Sequence, residues 1–429
     1  MSKQPKAAAT AARAMRGSRA YIVLLALVLG LAAGAAMAPV GEEVRGPALQ
    51  ASGLVGGLWL DALKMVVIPL IVALLIIGIA KGAQAVRAGR VAARSVAWFA
   101  GVYAISATTG ILLIALMLSL WALPESAASA LSAGLAAIDP AAVESSVPES
   151  ADFFRSIIPP NVIAAAAEGN VMQLVVFSVL FAVAVSVIEA ERRRTVVALF
   201  EGVADALLVV IGWVLWIAPV GVFALSFTLG ATAGGAAFAA VLPYIVLVAV
   251  LGLVVGALGY VIATLAGGIR LGAFAKAMVG AQTIALTTQS SLASLPAMLA
   301  SAQILGVRQQ VADVTLPLAV ALFRATGPAM NVGVAYYVAH WLGLEPSFAQ
   351  LATATVVAAV VSFGSVSLPG QISFLTSISP IALAMGVPIA PLAILVAVEN
   401  IPDIFRTVGN VTLDVAVTTA VDRSTAKDA

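Results

Sequence analysis

Near the C-terminal end of a 429-residue chain, six polar residues interrupt an apolar run at helical spacing: Glu399, Asp403, Arg406, Thr407, Asn410 and Asp414. At about 100° per residue they fall at about 0°, 40°, 340°, 80°, 20° and 60° around a helix axis, a single stripe roughly 100° wide. Ile404, Phe405, Val408, Val411, Leu413 and Val415 fill the rest of the turns. A charge at the centre of a bilayer costs at least about 2.5–3.5 kcal/mol, so four ionisable groups on one stripe must line a protein-enclosed, partly wet site. A cluster that only glued helices together should neutralise itself. Here three carboxylates stand against one guanidinium, which leaves room for a cationic group on a guest. The stripe suits an acidic amino acid. A guanidinium grips a carboxylate through two parallel N–H donors. A carboxylate one turn away can hold an ammonium, and an Asn amide can donate to a second carboxylate.

The elements that must carry this stripe are membrane spans. The chain is 62% hydrophobic and only 10% charged, with a mean hydropathy of +1.10, against roughly 45–50% and about 25% for a soluble domain. That composition excludes a cytosolic enzyme, a disordered chain and a nucleic-acid binder. The 22 basic and 20 acidic residues leave a net charge of +2, too small for a basic binding surface. With no cysteine, disulfides, thiol catalysis and Cys-ligated metals are excluded, and His340, the single histidine, excludes a poly-His metal site. No organic cofactor is implied.

Apolar runs at Tyr21–Ala38, Leu58–Ala80, Val96–Leu123, Val171–Ile188, Val197–Leu229, Ala237–Ala266, Val311–Leu342 and Pro391–Ala420 read as eight transmembrane helices of an all-α polytopic membrane protein. The first run follows five basic residues as a secretory signal would, but it exceeds the about 7–15 residues of such a signal and reads as a span. Basic residues gather before the first run, between the second and third (Lys81, Arg87, Arg90, Arg94), after the fourth (Arg192–Arg194) and after the sixth (Arg270, Lys276). With positive residues inside, both termini are cytoplasmic, as residues 1–19 and the tail 422–429, and the segment 124–169 is an external loop. Two further apolar stretches, 272–305 and 350–388, are broken at their centres by Thr287–Pro296 and Ser362–Gly370, each containing Ser-Leu-Pro. Serines and a proline at mid-run favour a helix–turn–helix that enters and leaves on one face, a re-entrant hairpin whose unwound tip must line a cavity. Exposed N–H groups at such tips add donors for an anion.

Several motifs follow one another in a specific order: Asn161…Gly169-Asn170-Val171, Ala218-Pro219-Val220-Gly221-Val222-Phe223-Ala224, the Gln289–Pro296 tip, Thr315-Leu316-Pro317-Leu318, Leu368-Pro369-Gly370, and Arg406-Thr407…Asn410-Val411-Thr412…Asp414. On these the chain resembles, from about residue 20 to about residue 420, the dicarboxylate/amino acid:cation symporter family, the glutamate transporter homologues. Paired interrupted segments mark the substrate site in secondary transporters, a generalisation to which that family itself contributes. The resemblance implies a homotrimer in lipid and an elevator-type transporter. Residues 20–270 would form mainly scaffold and trimerisation helices, together with the third span. Residues 271–421 would form a transport core of hairpin, seventh span, hairpin and eighth span. It implies that Arg406 holds the substrate side-chain carboxylate, Asp403 the ammonium and Asn410 the α-carboxylate with help from Thr407. Ser290 and Ser291 would contribute from the first tip, and the Leu368 and Gly370 backbone from the second. Asp414 matches a sodium-ligating aspartate. Members that move simple dicarboxylates usually lack the aspartate matched by Asp403, so aspartate or glutamate is the expected substrate and a C4-dicarboxylate the alternative.

The chain departs from the family in its seventh span. Sodium-coupled members carry an unwound Asn-Met-Asp-Gly-Thr there. Ungapped spacing from Thr315-Leu316-Pro317 puts Phe323-Arg324-Ala325-Thr326-Gly327 in its place, whereas Asn331-Val332-Gly333 would need an insertion. The sodium-binding Asn and Asp side chains are thereby lost, and a fixed positive charge, Arg324, stands where cations would sit. Val102-Tyr103 in the third span occupies the place of a Thr-Ser pair that completes a sodium site, and Gly327 replaces a substrate-touching threonine. Arg324 is therefore expected to replace the coupling cation, with Asp414 the one residual sodium ligand and a proton the alternative coupling ion. An intramembrane hydrolase would need a nucleophile–base pair that is not evident here, and an ion channel would show no saturable counterflow.

Overall fold

The computed structural model describes residues 22–121, 158–167, 171–233, 236–364 and 370–426. Among them there is no strand. Helix α1 covers Ile22–Met37, α2 Glu42–Ala88, α3 Arg90–Leu120, α4 Val162–Ala167, α5 Val171–Val187, α6 Ala190–Trp216, α7 Ala218–Ala233 and α8 Ala236–Leu265. The C-terminal part continues with α9 Leu271–Thr288, α10 Ser291–Ile304, α11 Gln309–Leu322, α12 Gly327–Trp341, α13 Phe348–Gly364, α14 Gly370–Ala384, α15 Ala390–Leu395 and α16 Asn400–Ala426. Among the described residues, five stretches are long and apolar enough to cross a membrane: Glu42–Gln84, Arg90–Leu120, Ala190–Trp216, Leu242–Leu265 and the compound Gln309–Trp341. Most of the external loop read at 124–169 lies outside the described residues.

Three runs that read as single spans are each two helices. In Val197–Leu229 the chain breaks at Ile217, between α6 and α7. Pro219, the second residue of α7, has no N–H for an i→i−4 bond, and its ring would clash with the carbonyl four residues back. In Val311–Leu342 the break falls at Phe323–Thr326, again with a proline, Pro328, second in the next helix. In Pro391–Ala420 a turn at Val396–Glu399 separates α15 from α16, and Pro402 is third in α16. Hydropathy alone does not register these breaks, because the residues on both sides are apolar.

α9 and α10 pack against each other as a hairpin. Its turn is made by Gln289, in the left-handed region at φ +49°, and Ser290, whose hydroxyl accepts the Ala293 N–H at 3.2 Å and caps α10. α13 and α14 pack as a second hairpin, and residues 365–369 between them lie outside the described residues.

Two packing centres result. α2 runs through the first, against α5, α6 and α7. The second is built on α8 and α16, the most extensive helix pair among the described residues. Small residues let their backbones meet, the device by which helices associate where hydrophobic burial gives no net drive. A Cβ on Gly409 would lie 2.5 Å from Thr326 Cγ2 and 3.2 Å from the Gly252 carbonyl oxygen, and one on Gly256 would lie 3.1 Å from Gly409 Cα. This close approach carries the polar stripe of α16 into the protein interior.

Candidate substrate-binding site

On α16 the side chains of Asp403, Arg406, Thr407, Asn410 and Asp414 are all buried, as is Glu399 at the end of the preceding turn. The stripe read from the sequence thus faces the interior, and three other elements meet it: α8, α12 and the break between α11 and α12.

Arg406 is held at three points. Its Nη2 donates to Glu399 Oε1 at 2.6 Å, its Nη1 donates to Asn331 Oδ1 of α12 at 2.6 Å, and its Nε lies 3.4 Å from Asp403 Oδ1. The second oxygen of Glu399 accepts a hydrogen bond of 2.8 Å from the Tyr244 hydroxyl of α8. The guanidinium is thus compensated from within the protein, and an incoming carboxylate must share or displace Glu399.

The break contributes the next layer. Asn410 Oδ1 accepts the Thr326 N–H at 2.9 Å and lies 2.9 Å from the Thr326 hydroxyl, which is also 3.1 Å from the Arg406 carbonyl oxygen. With its oxygen engaged by the break, the Asn410 amide keeps its NH2 as the donor side. Tyr103 of α3, wholly buried, serves the other edge. Its hydroxyl accepts the Arg324 N–H at 2.7 Å and lies 2.6 Å from the Leu322 carbonyl and 3.1 Å from that of Ser362 in α13. Phe323 stacks on Phe99 with ring centroids 4.4 Å apart, and Tyr103 meets Phe363 edge-on at 4.8 Å. Tyr103 therefore satisfies backbone groups freed by the broken helix.

Two charged groups remain open. The Arg324 side chain makes no hydrogen bond or ion pair with any described residue; the carboxylates whose charges attract it are Asp403 and Asp414. Asp414 is wholly buried, and neither of its oxygens has a hydrogen-bond partner among the described residues. The positive charge acting on it is that of Arg324.

Ser290 and Ser291 stand at the α9–α10 turn, where the Gln289 amide donates to the Asn400 carbonyl at 3.4 Å and brings the tip beside the first turn of α16. Gly370 opens α14, and Leu368 lies outside the described residues. Sequence reading assigned no role to Tyr244, Asn331 or Thr326, and read Glu399 only as one more charge on the stripe. Tyr244 and Glu399 are 155 positions apart, and Asn331 and Arg406 are 75 apart.

A family model described as the sodium:dicarboxylate symporter family matches residues 20–424. Among characterised relatives, the proton/sodium-glutamate symport protein of Bacillus subtilis (strain 168) is 29% identical over 83% of this chain and 82% of its own length. The proton/glutamate-aspartate symporter of Escherichia coli (strain K12) is 26% identical over 92% and 90%. The C4-dicarboxylate transport protein 2 of Bradyrhizobium diazoefficiens is 29% identical over 88% and 82%.

Proposed function

Because the chain belongs to the sodium:dicarboxylate symporter family, a family of membrane transporters and not of enzymes, we propose that it is a secondary active transporter of acidic amino acids, aspartate and glutamate. In this reading it works across the inner membrane, with both termini cytoplasmic and with little or no coupling to sodium. The observation that carries the reading is the buried Arg406–Asp403 pair, 3.4 Å apart on α16, with Asn410 one turn further on. An acidic amino acid presents an ammonium between two carboxylates. Asp403 would take the ammonium, Arg406 the side-chain carboxylate, and the Asn410 NH2 the α-carboxylate with Thr407 assisting. Ser290 and Ser291 would close the site from one hairpin tip, and the backbone of Leu368 and Gly370 from the other.

Arg324 enters as a tethered cation. In a sodium symporter the metal ion offsets the charge that the substrate brings. Here a guanidinium between Asp403 and Asp414 offsets it permanently, since arginine keeps its charge across the physiological pH range. A tethered charge is neither taken up nor released, so it attracts substrate without linking transport to a sodium gradient. With Ala325 and Phe323 in the break in place of carboxylate and amide donors, Asp414 is the one sodium ligand that would remain. The transport core, 271–421, would move against a trimeric scaffold as an elevator, through eight spans and two re-entrant hairpins.

The second reading is a C4-dicarboxylate symporter, favoured by the relatives that bear that name and by Arg324 as a second guanidinium for a second carboxylate. Calorimetry on the purified protein with aspartate, glutamate, succinate and malate, in sodium and in choline buffers, tests both. Binding of the amino acids with near-equal affinity in the two buffers is the expected result. Preference for the dicarboxylates selects the second reading, and a steep sodium dependence overturns the role given to Arg324.

A further inference from the structure

The site as described holds three carboxylates, Glu399, Asp403 and Asp414, and two guanidiniums, Arg324 and Arg406. Fully ionised, it carries one negative charge in excess before any substrate arrives. An acidic amino acid adds another. Buried charge without compensation is costly, and the structure offers no third cationic side chain among these groups. One of the carboxylates must therefore take a proton when substrate binds.

The geometry singles out one of the three. Asp403 has to stay ionised to hold an ammonium, and Asp414 faces the charge of Arg324. Glu399 depends on Arg406: its Oε1 sits 2.6 Å from Nη2, on the same guanidinium that the substrate carboxylate is to occupy. When that carboxylate takes the N–H donors of Arg406, Glu399 loses its countercharge and keeps only the Tyr244 hydroxyl, 2.8 Å from Oε2. A hydroxyl suits both states of a carboxyl group, because it donates to the ionised form and can also accept from the acid. The titratable and charged groups facing Glu399 are Arg406 and Asp403 from α16 and Tyr244 from α8. Tyr337 of α12 stands behind Tyr244, ring centroids 5.7 Å apart. α15 presents only Ala, Pro, Leu and Ile, and the α9–α10 tip approaches with the neutral Gln289.

We infer that Glu399 is the proton-carrying group of this transporter: the substrate carboxylate displaces it from Arg406, and it enters the loaded state as a carboxylic acid. The step balances with one proton taken from solvent onto a Glu399 oxygen for each substrate bound, and the same proton returned when substrate leaves and Arg406 closes back onto Glu399. This rests on the acidic-substrate reading proposed above and gives that reading its coupling ion.

Calorimetric titration of the purified full-length protein with L-aspartate, in sodium-free buffers of differing ionisation enthalpy from about pH 5 to about pH 8, reads the proton number directly. The expected result is uptake of about one proton per aspartate, with affinity falling by about tenfold per pH unit at the alkaline end of the range. Glu399→Gln should abolish both the uptake and the slope. Tyr244→Phe keeps the carboxyl group and should move the pH at which the slope sets in while leaving the proton number at about one. It decides the matter should Glu399→Gln fail to fold, since a merely structural tyrosine would leave the pH profile where it was. Proton uptake that persists in Glu399→Gln, an unmoved profile in Tyr244→Phe, or aspartate binding to the unaltered protein without proton uptake overturns the role of Glu399. Failure of the unaltered protein to bind any acidic amino acid or dicarboxylate overturns the transport reading itself, and the inference with it.

Discussion

The chain breaks an apolar run in the same way at Ile217 and at Phe323–Thr326, each time with a proline second in the helix that follows, and only the second break meets the buried polar stripe of α16. At the first, the Val220 and Gly221 N–H groups close onto the Ile217 carbonyl at 3.0 and 3.4 Å. The Val214 carbonyl, freed where α6 ends, accepts the Trp59 indole N–H of α2 at 2.9 Å. Gly221 lies flat against that indole, and a Cβ there would come within 2.1 Å of the ring. The flanking Trp213 and Trp216 are about two-thirds exposed. At the second break, Tyr103 and Asn410 satisfy the freed backbone groups, and a guanidinium and a carboxylate are still left without hydrogen-bond partners among the described residues. The lesson is physical: a break whose polar groups are satisfied by its neighbours is architecture, and a break that leaves charge over is poised for a guest.

The sharpest separation comes from charge. Arg406→Ala removes the partner of Glu399 and Asp403 together. Breaking one side of a buried ion pair costs about 3–5 kcal/mol, so the variant should melt at a distinctly lower temperature and bind no aspartate that calorimetry detects. Aspartate affinity equal to that of the unaltered protein would remove Arg406 from the site. Arg324→Met comes second. Arg324 makes no ion pair with a described residue, but its charge is the one acting on the buried Asp414, so thermal stability should fall less than in Arg406→Ala while affinity falls. Loss of a desolvated charge contact is worth about 2–5 kcal/mol, tens to thousands of fold in affinity. Restored affinity on adding sodium would sharpen the case that this guanidinium replaces a cation.

How much of this was legible beforehand follows from range. The polar stripe on α16 is local, and 100° spacing on an apolar background sufficed to place Asp403, Arg406, Asn410 and Asp414 on one buried face. The α9–α10 hairpin was legible because Thr287–Pro296 puts polar and helix-breaking residues mid-run. The break at 323–326 came from ungapped spacing against a familiar pattern, and Asn331 indeed lies inside α12. The break at Ile217 was missed, because Pro219 sits among Val, Ile and Trp whose hydropathy is uniform. What closes the site was not legible at all. Nothing in the sequence says that Tyr244 reaches Glu399, that Asn331 reaches Arg406, or that Tyr103 serves the seventh-span break, since each pairing is made only when the helices pack.

A pair of smaller changes asks whether the two breaks differ in kind. Tyr103→Phe removes the hydroxyl that serves the Arg324 N–H and the Leu322 carbonyl, and Trp59→Phe removes the donor to Val214. An unsatisfied buried backbone group costs about 1–3 kcal/mol, so both variants should lower the melting temperature by similar amounts. Only Tyr103→Phe should also weaken aspartate binding, because only there does the backbone position a charged residue of the site. Equal affinities in the two variants would reduce Tyr103 to a packing residue.

The smallest effect concerns the prolines themselves. Pro→Ala at a site compatible with proline costs about 0.4–1 kcal/mol, mostly through the greater freedom of the unfolded chain, and that much is expected at both positions. The difference lies in what the new N–H can do. At position 219 it faces a break whose neighbours are apolar, and a bond back to Leu215 would at most straighten α6 into α7 away from the polar stripe. Pro219→Ala should leave aspartate affinity unchanged. At position 328 the new N–H is four residues beyond the Arg324 carbonyl, which accepts the Gly327 N–H at 2.8 Å. A helical bond from 328 to 324 would extend α12 backwards by part of a turn and draw Arg324 out of its place in the break, while Thr326 pulled away from Asn410 would free the amide to rotate. Pro328→Ala should therefore weaken aspartate binding several-fold, a loss of about 1 kcal/mol, at a stability cost no greater than that of Pro219→Ala. Calorimetry and thermal unfolding on the two variants read the two quantities separately. Matching affinities would mean that the seventh-span break tolerates rewinding as readily as the one at Ile217, and that its open charges owe nothing to the unwound backbone.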